Sequence, residues 1–450
     1  MRQLIEVKDP QMIGSGIFKD IASGQSALWH YSENVHYAHG KVSVLRGVLA
    51  LQSAADPIVA LEQATVDSVP RIYFASSTAV FRLANNVVHS LHSQAGPRSW
   101  SFETWGTWLV FTNGVEVPRV SKNTTSSVVL ANAPIAKMFR RFYNHLVGIF
   151  VGGEGQKVAW SSISDIETWT PLPENTAGDL FIRDLDSDIR AAEPLGTVLL
   201  LYSVNSVCVF EYVGAPNYFG TRSRMDGIGA VSEKAICVVA GKHYGLCRKG
   251  FFVTDGMQYQ YTHSPQIHEW LESQINWENA SSVCSWHDEA LKTVYWTFDC
   301  LDGQRRGVGF NIETSAWAPF KANIRAGLSK KIFSYSVVGI DNLVAAWDRA
   351  GTPLPWTIET KRLDLGTRDF YKSVDMFQVN GEGKAGVSIQ FELSNTSDED
   401  VAGEWLSPTS LVEENWIGRD TIFLKVRMSG SGGTFNFGAI KVFGEAGGMR

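Results

Sequence analysis

The 450-residue sequence predicts an all-β protein: a β-propeller of six or seven degenerate blades followed by a C-terminal β-sandwich-like domain. Three observations predict it. The chain carries 15 Trp, 24 Phe, 13 Tyr and 41 Gly, a composition that favours strands and tight turns over helices. Hairpin-like units, each an apolar strand, a short turn and a second strand, recur along the first three quarters of the chain. Beyond residue 360 the pattern changes to clean alternation of apolar and polar residues.

The first forty residues, 1–40, are extended and Gly-punctuated, and read as an N-terminal arm that closes a ring or docks on a neighbour. Residues 41–360 hold the repeats. Hairpins begin at 71, 105, 143, 195, 241, 291 and 329, in steps from 34 to 52 residues. The turn residues Asn113-Gly114, Gly152-Gly153, Asp255-Gly256 and Asp302-Gly303 supply the required backbone freedom. A hairpin unit repeated every ~40–50 residues marks a propeller blade, since one blade buries its faces only against its neighbours. Ring closure then leaves few open strand edges. One helix is expected within 264–281, where Pro265 stands near the start and Ile267, Trp270, Leu271 and Ile275 follow helical spacing. It reads as a connector between blades. Residues 361–450 carry the alternation Val387, Ile389, Phe391, Leu393, then the polar loop TSDEDVAGEW, then two strands across a Ser/Gly turn. That is a small β-sandwich.

Charge and cysteine usage narrow the function. A net charge of −6 opposes general gripping of phosphates, which needs a basic face, but permits DNA to pass without being held. Cys208, Cys237, Cys247, Cys284 and Cys300 show no CxxC or Cys/His ligand spacing and are expected to be buried, reduced thiols of a protein made in the cytosol. The N-terminus lacks an apolar core of signal-peptide length, and no run approaches 18 apolar residues, so a non-secreted protein without membrane insertion is expected.

Several stretches invite a chemical reading. KVAWSSISDIETWTP (157–171) is near the Asp box of sialidase-type propellers, roughly S-x-D-x-G-x-T-W. Aligning Thr168 and Trp169 places Ser164 where the Asp belongs, with Asp165 one place off. Even a true Asp box is structural. Asp184, Asp186 and Asp188 open like a calcium loop, yet Ile189 stands where the turn Gly belongs and Leu195 where the bidentate Glu belongs, so a solvated loop is expected. His89 and His92 form an isolated H-x-x-H. Gly430, Gly432 and Gly433 lie between two strands and read as a hairpin turn, not a phosphate cradle. Lys137, Arg140 and Arg141 form a basic run read as solvent-facing or at a subunit contact. No catalytic, cofactor-binding or metal residue is assigned, and no cofactor is expected.

Read in order, the units resemble a known family. APIAKMFRRFYNHLVGIFVGGEGQKVAWSSISDIETWTP resembles a recurring phrase of tail proteins from short-tailed bacteriophages, a Pro followed by v.wS...d...W. LGTVLLLYSVNSVCVFEYVGAPNYFGTRSRMDGIGAVS is similar to their l..yt..siy...y.G.P..f segment. HYGLCRKGFFVTDGMQ resembles their Gfy..dG blade, and FNFGAIKVFGEAGGMR their usual ending. The matches span most of residues 100–262 and the last fifteen. The family is the tail-nozzle, tail tubular or packaged-DNA stabilisation proteins.

The resemblance implies a structural virion protein, not an enzyme, assembled in the host cytoplasm into a ring, typically a hexamer. The ring would sit below the portal and adaptor proteins, contact tail fibre, tailspike or tail-tip plug proteins, and pass double-stranded DNA through its lumen. Two alternatives belong to other classes: a propeller glycosidase or sialidase-like enzyme acting on host surface glycan, and a monomeric propeller binding module. The enzyme predicts paired carboxylates ~5–10 Å apart in a cleft at the propeller axis.

Overall fold

A computed structural model describes residues 3–7, 29–38, 41–329, 332–363, 371–398 and 400–446. Its central feature is a closed β-propeller of seven four-stranded antiparallel blades. Blade 1 comprises Ile58–Val66, Val69–Ser76, Ala79–Ala84 and Val87–Ser93. The inner strands of blades 2 to 6 are Ser101–Trp105, Ala136–Phe142, Ala191–Leu195, Ile236–Val239 and Cys284–Asp288. Blade 7 starts with Ile324–Leu328, which packs beside the inner strand of blade 1 and completes the ring.

The outermost strand of blade 7 comes from the other end of the chain. Val48–Ser53 pairs antiparallel with Leu343–Trp347, placing Val48 opposite Trp347 and Ser53 opposite Leu343. Closure therefore ties the two ends of the propeller together by ladder hydrogen bonds instead of leaving an open edge.

The hairpins expected from sequence are the second and third strands of each blade. His145–Val151 with Glu154–Trp160, and Thr293–Asp299 with Arg305–Asn311, are examples. In blade 5 the turn between these strands is Arg248-Lys249, and Asp255-Gly256 falls one turn later, before Tyr259–Tyr261. The expected helix spans Pro265–Gln274, with Ser264 as its N-cap and Ile267 and Leu271 buried, and joins blade 5 to blade 6.

Large aromatics fill the seams between blades. Trp286, Tyr295, Phe320 and Trp347 pack together where blades 6 and 7 meet, with ring centroids 5.1–6.0 Å apart. Trp160, Phe210 and Phe219 do the same between blades 3 and 4. Such groups bury roughly 150–250 Å² each, so a handful dominates the energetics of a seam. Gly327 and Gly178 admit them closely: a Cβ on Gly327 would meet Trp286 at 2.5 Å, and one on Gly178 would meet Trp160 at 2.5 Å.

The domain limits differ from the expected ones at both ends. Residues 1–40 are not simply an extended arm, although 8–28 lie outside the described residues. Gln3–Val7 pairs with the last strand, Asn436–Ala446, and Trp29–Glu33 pairs with Pro355–Thr360. Val35–Ala38 and Lys41–Val44 form a hairpin on that same last strand. The sandwich is thus two six-stranded sheets built from both chain ends, and the propeller strands run over 48–347, not 41–360. The reason is physical: the eight strands from Pro355 onward leave sheet edges that the N-terminal strands cover.

Its core includes Tyr37, Trp356, Phe377, Ile389, Phe391, Met428 and Phe437, and reaches blade 6 through Ala316 and Ala318. Asn34 fastens this junction. Its backbone N–H donates to Pro319 O at 3.1 Å, and its side-chain oxygen accepts from Lys321 N at 2.8 Å. Inside the sandwich, Arg362 pairs with Glu392 at 2.6 Å, both side chains nearly inaccessible. Arg362 also donates to Val401 O at 2.6 Å and to Asp398 O, which clamps the polar loop onto the sheet.

Candidate functional site at the propeller axis

Inner strands face the axis, and the sequence places charged residues on them among short apolar runs. Glu62, Glu103, Arg140 and Glu193 come from blades 1, 2, 3 and 4, and Glu233 and Lys234 from the turn that starts blade 5. They line a cavity of about 350 Å³. A second cavity of about 320 Å³ opens at the end where the inner strands begin. Trp100, Glu233 and Lys234 border both, so this belt divides the axial space into two chambers.

Arg140 is the hub of the belt. Its guanidinium donates to Glu193 Oε1 at 2.8 Å, Glu233 Oε1 at 3.2 Å, Ala192 O at 2.7 Å and Phe139 O at 2.7 Å. Burial opposes its charge, but Glu193 and Glu233, with Glu103 behind them, hold its pKa above the ordinary arginine value. Ser101 Oγ donates to the same Glu233 oxygen at 2.5 Å. The network therefore staples blades 2, 3, 4 and 5 around the axis. Lys234 Nζ donates to Val59 O of blade 1 at 2.7 Å, and burial pushes its pKa down.

The basic run 137–145 is thus divided: Arg141 is exposed, Lys137 is half-buried and Arg140 is buried. Lys137 lies at the axial mouth, Arg140 is buried at the hub, and Arg141 stacks over Trp105 at 5.4 Å. A strand residue two places on shares a face but three places on does not, and sequence spacing alone left this division open.

The other singled-out residues serve the architecture. Asp165 ties down its turn by accepting from Glu167 N at 3.0 Å and Thr168 Oγ1 at 2.7 Å. Trp169 is buried, donates its indole N–H to Ile166 O at 2.6 Å, and meets Phe139 edge-on. One displaced aspartate therefore does the work that the aligned Asp would do in an Asp box. Asp184, Asp186 and Asp188 diverge. Asp184 accepts from Thr221 at 3.1 Å, Asp186 from Ser206 at 2.7 Å and from Ser203, and Asp188 lies against Gly155. Burial alone would raise the Asp186 carboxyl, but hydrogen bonds from Ser203, Ser206 and Asn205 outweigh it and lower its pKa. His92 contacts Glu116 at 3.3 Å and packs edge-on to Trp100. Among the described residues no group of three His, Cys, Asp or Glu side chains is placed to hold a metal.

All five cysteines are buried and none is in a disulfide. Burial, with Asp184 nearby, pushes Cys208 up to about 12. No described helix is long and apolar enough to cross a membrane.

The architecture defines a seven-bladed β-propeller carrying a sandwich knit from both chain ends. No known protein family matches the chain, and no curated protein sequence does. Among solved structures it is similar to the β-propeller domain of Myceliophteria thermophila Cps50 (Swd1), at 7% identity and a TM-score of 0.44, over 67% of this chain and all of that one. It is also similar to the WD40 domain of Neurospora crassa Pan2, at 8% identity and a TM-score of 0.41, over 69% of this chain and 97% of that one. A third is PorZ of Porphyromonas gingivalis, a surface component of the type-IX secretion system, at 8% identity and a TM-score of 0.42. That match covers 73% of this chain and 44% of PorZ.

Proposed function

We propose that this protein is a structural virion component, the ring-forming tail nozzle of a short-tailed bacteriophage, which retains packaged DNA below the portal and adaptor and channels it at ejection. The reading rests on one observation. The tail-protein phrases occur in family order, and each falls on a turn or packing position of blades 3, 4 and 5 or on the last sandwich strand. Trp160, Asp165 and Trp169 belong to blade 3, Gly214-Ala215-Pro216 is a turn of blade 4, Gly250 and Gly256 flank a strand of blade 5, and FNFGAIKVFGEA forms the last sandwich strand.

The axis of one propeller is not the DNA path in this reading. A cube of 350 Å³ is ~7 Å on edge, whereas the major groove alone of B-DNA is about 12 Å wide. The duplex instead runs down the lumen enclosed by the ring of subunits. A cyclic ring joins two different faces of each protomer. A candidate for one is the outer edge of blade 2, where Val115, Val117, Val128 and Val129 are 46–58% exposed beside the short edge strand Val128–Val129. A net charge of −6 suits a channel that repels phosphates.

A glycan hydrolase has one observation in its favour, the glutamates of the axial chamber. Glu193 and Glu233, however, each turn an oxygen onto the same buried guanidinium, so both serve the ion pairs that tie blades 3, 4 and 5 together. Deleting the gene from the phage tests the nozzle. Filled heads that leak their DNA and lack tails are the expected outcome. Heads that keep their DNA, or release of reducing sugar from host polysaccharide by the purified protein, would contradict it.

A further inference from the structure

The outer of the two axial chambers has a charge pattern that the nozzle role does not use. Its lining among the described residues carries five cationic side chains, Arg98, Lys137, Arg190, Lys234 and Arg325, and a single carboxylate, Glu233. The protein as a whole has six more acidic than basic residues. The five cations come from different parts of the ring, at the end where the inner strands begin, so the fold converges them.

The carboxylates within reach do not neutralise this cluster. Glu233 is committed to Arg140 and Ser101. Asp299 lies 3.6 Å from Arg325 but 2.9 Å from the buried Arg305. Lys137 feels Glu233 and Asp188, and also Arg190 as a like charge; burial is the largest influence and lowers its pKa. Like charges in a partly enclosed cavity repel strongly. A multivalent anion in the chamber offsets that repulsion.

We propose that the mouth of the propeller axis is a binding site for a small ligand carrying a chain of phosphates, such as polyphosphate or a nucleoside polyphosphate. Several arginines around one cavity offer the forked donors that match phosphate oxygens. The chamber of about 320 Å³ lies within the range of small-molecule sites. The site does not depend on the nozzle reading.

Calorimetric titration of the full-length protein at physiological salt tests this, with tripolyphosphate, ATP and citrate as separate ligands. Saturable 1:1 binding of tripolyphosphate, at least tenfold tighter than citrate, is expected. Equal affinity for ATP places recognition on the phosphate chain, and tighter ATP binding adds the nucleoside to it; both support the site. The double variant Lys137→Met/Arg190→Gln should lose at least tenfold while its thermal unfolding midpoint stays near that of the parent. Arg222→Gln, on the outer strand of blade 4, should bind as the parent does. If Lys137→Met/Arg190→Gln fails to fold, Arg98→Gln at the exposed rim should still weaken binding several-fold. Absence of binding by both phosphate ligands, or citrate binding as tightly as tripolyphosphate, would overturn the proposal.

Discussion

The propeller and the sandwich are both made of antiparallel strands, yet they are assembled in opposite ways. Six of the seven blades take their four strands from one continuous stretch, while the sandwich interleaves strands from 3–44 with strands from 355–446. The blades therefore form through contacts close in sequence and the sandwich through contacts hundreds of residues apart. The seventh blade stands between the two cases, because Val48–Ser53 closes it from afar. Long-range pairing costs loop-closure entropy before it is rewarded, so the sandwich and blade 7 should form last and open first.

The largest effect is expected at the buried ion pair of the sandwich. Glu392→Ala strands Arg362 in the core and should cost about 3–5 kcal/mol in denaturant unfolding. Hydrogen exchange should rise in 29–44 and 372–446 and leave blades 2 to 5 protected. In the propeller, Trp286→Ala opens the seam between blades 6 and 7 and should cost about 3–5 kcal/mol. Exchange should then rise first in blades 6 and 7, including Val48–Ser53. Equal loosening throughout the chain in either variant would contradict the two modes of assembly.

Acid should act on a seam more evenly. His243 is fully buried between blades 4 and 5, where its Nε2–H donates to Pro194 O at 3.1 Å and its Nδ1 accepts from Tyr202 at 2.8 Å. Burial lowers its pKa from 6.5 to about 4. A histidine depressed in the folded state binds its proton more readily when unfolded. Its contribution is present above pH 6.5 and is lost as pH falls through 4, by about 3 kcal/mol. His243→Gln should flatten the stability profile across that window, as measured by urea midpoints. An unchanged slope would remove His243 as its source.

A smaller loss is expected from Gly327→Ala, whose Cβ would press on the Trp286 ring, at about 1–3 kcal/mol. Smallest of all is the double substitution Val128→Asp/Val129→Asp on the exposed edge of blade 2, within about 0.5 kcal/mol of the parent. Its effect should appear instead as loss of the proposed ring assembly.

What was legible in the sequence follows the same division. The second and third strands of each blade stand out because both are mostly apolar and are joined by short turns. The inner strands are hidden, since Glu62, Glu103, Arg140 and Glu193 interrupt their apolar pattern for the sake of the axis, and Pro194 follows Glu193 in the same strand. The same interruptions are the candidate site, so the residues that obscure the strand are those that fill the channel. The N-terminal strands were unreadable for a different reason. Nothing local in Trp29–Glu33 or Lys41–Val44 says that the partner lies more than 300 residues away. Trp169 is legible as architecture from its Ser/Asp turn, and it is buried in a cluster that blades 2 and 3 share.

The nozzle is tested most directly by the mass and symmetry of the purified protein, alone and mixed with portal-bearing capsids. Native mass spectrometry and electron microscopy should find a cyclic assembly, typically sixfold, seated below the portal and adaptor, and Val128→Asp/Val129→Asp should prevent it. A protein that remains monomeric and never joins such particles would contradict the nozzle.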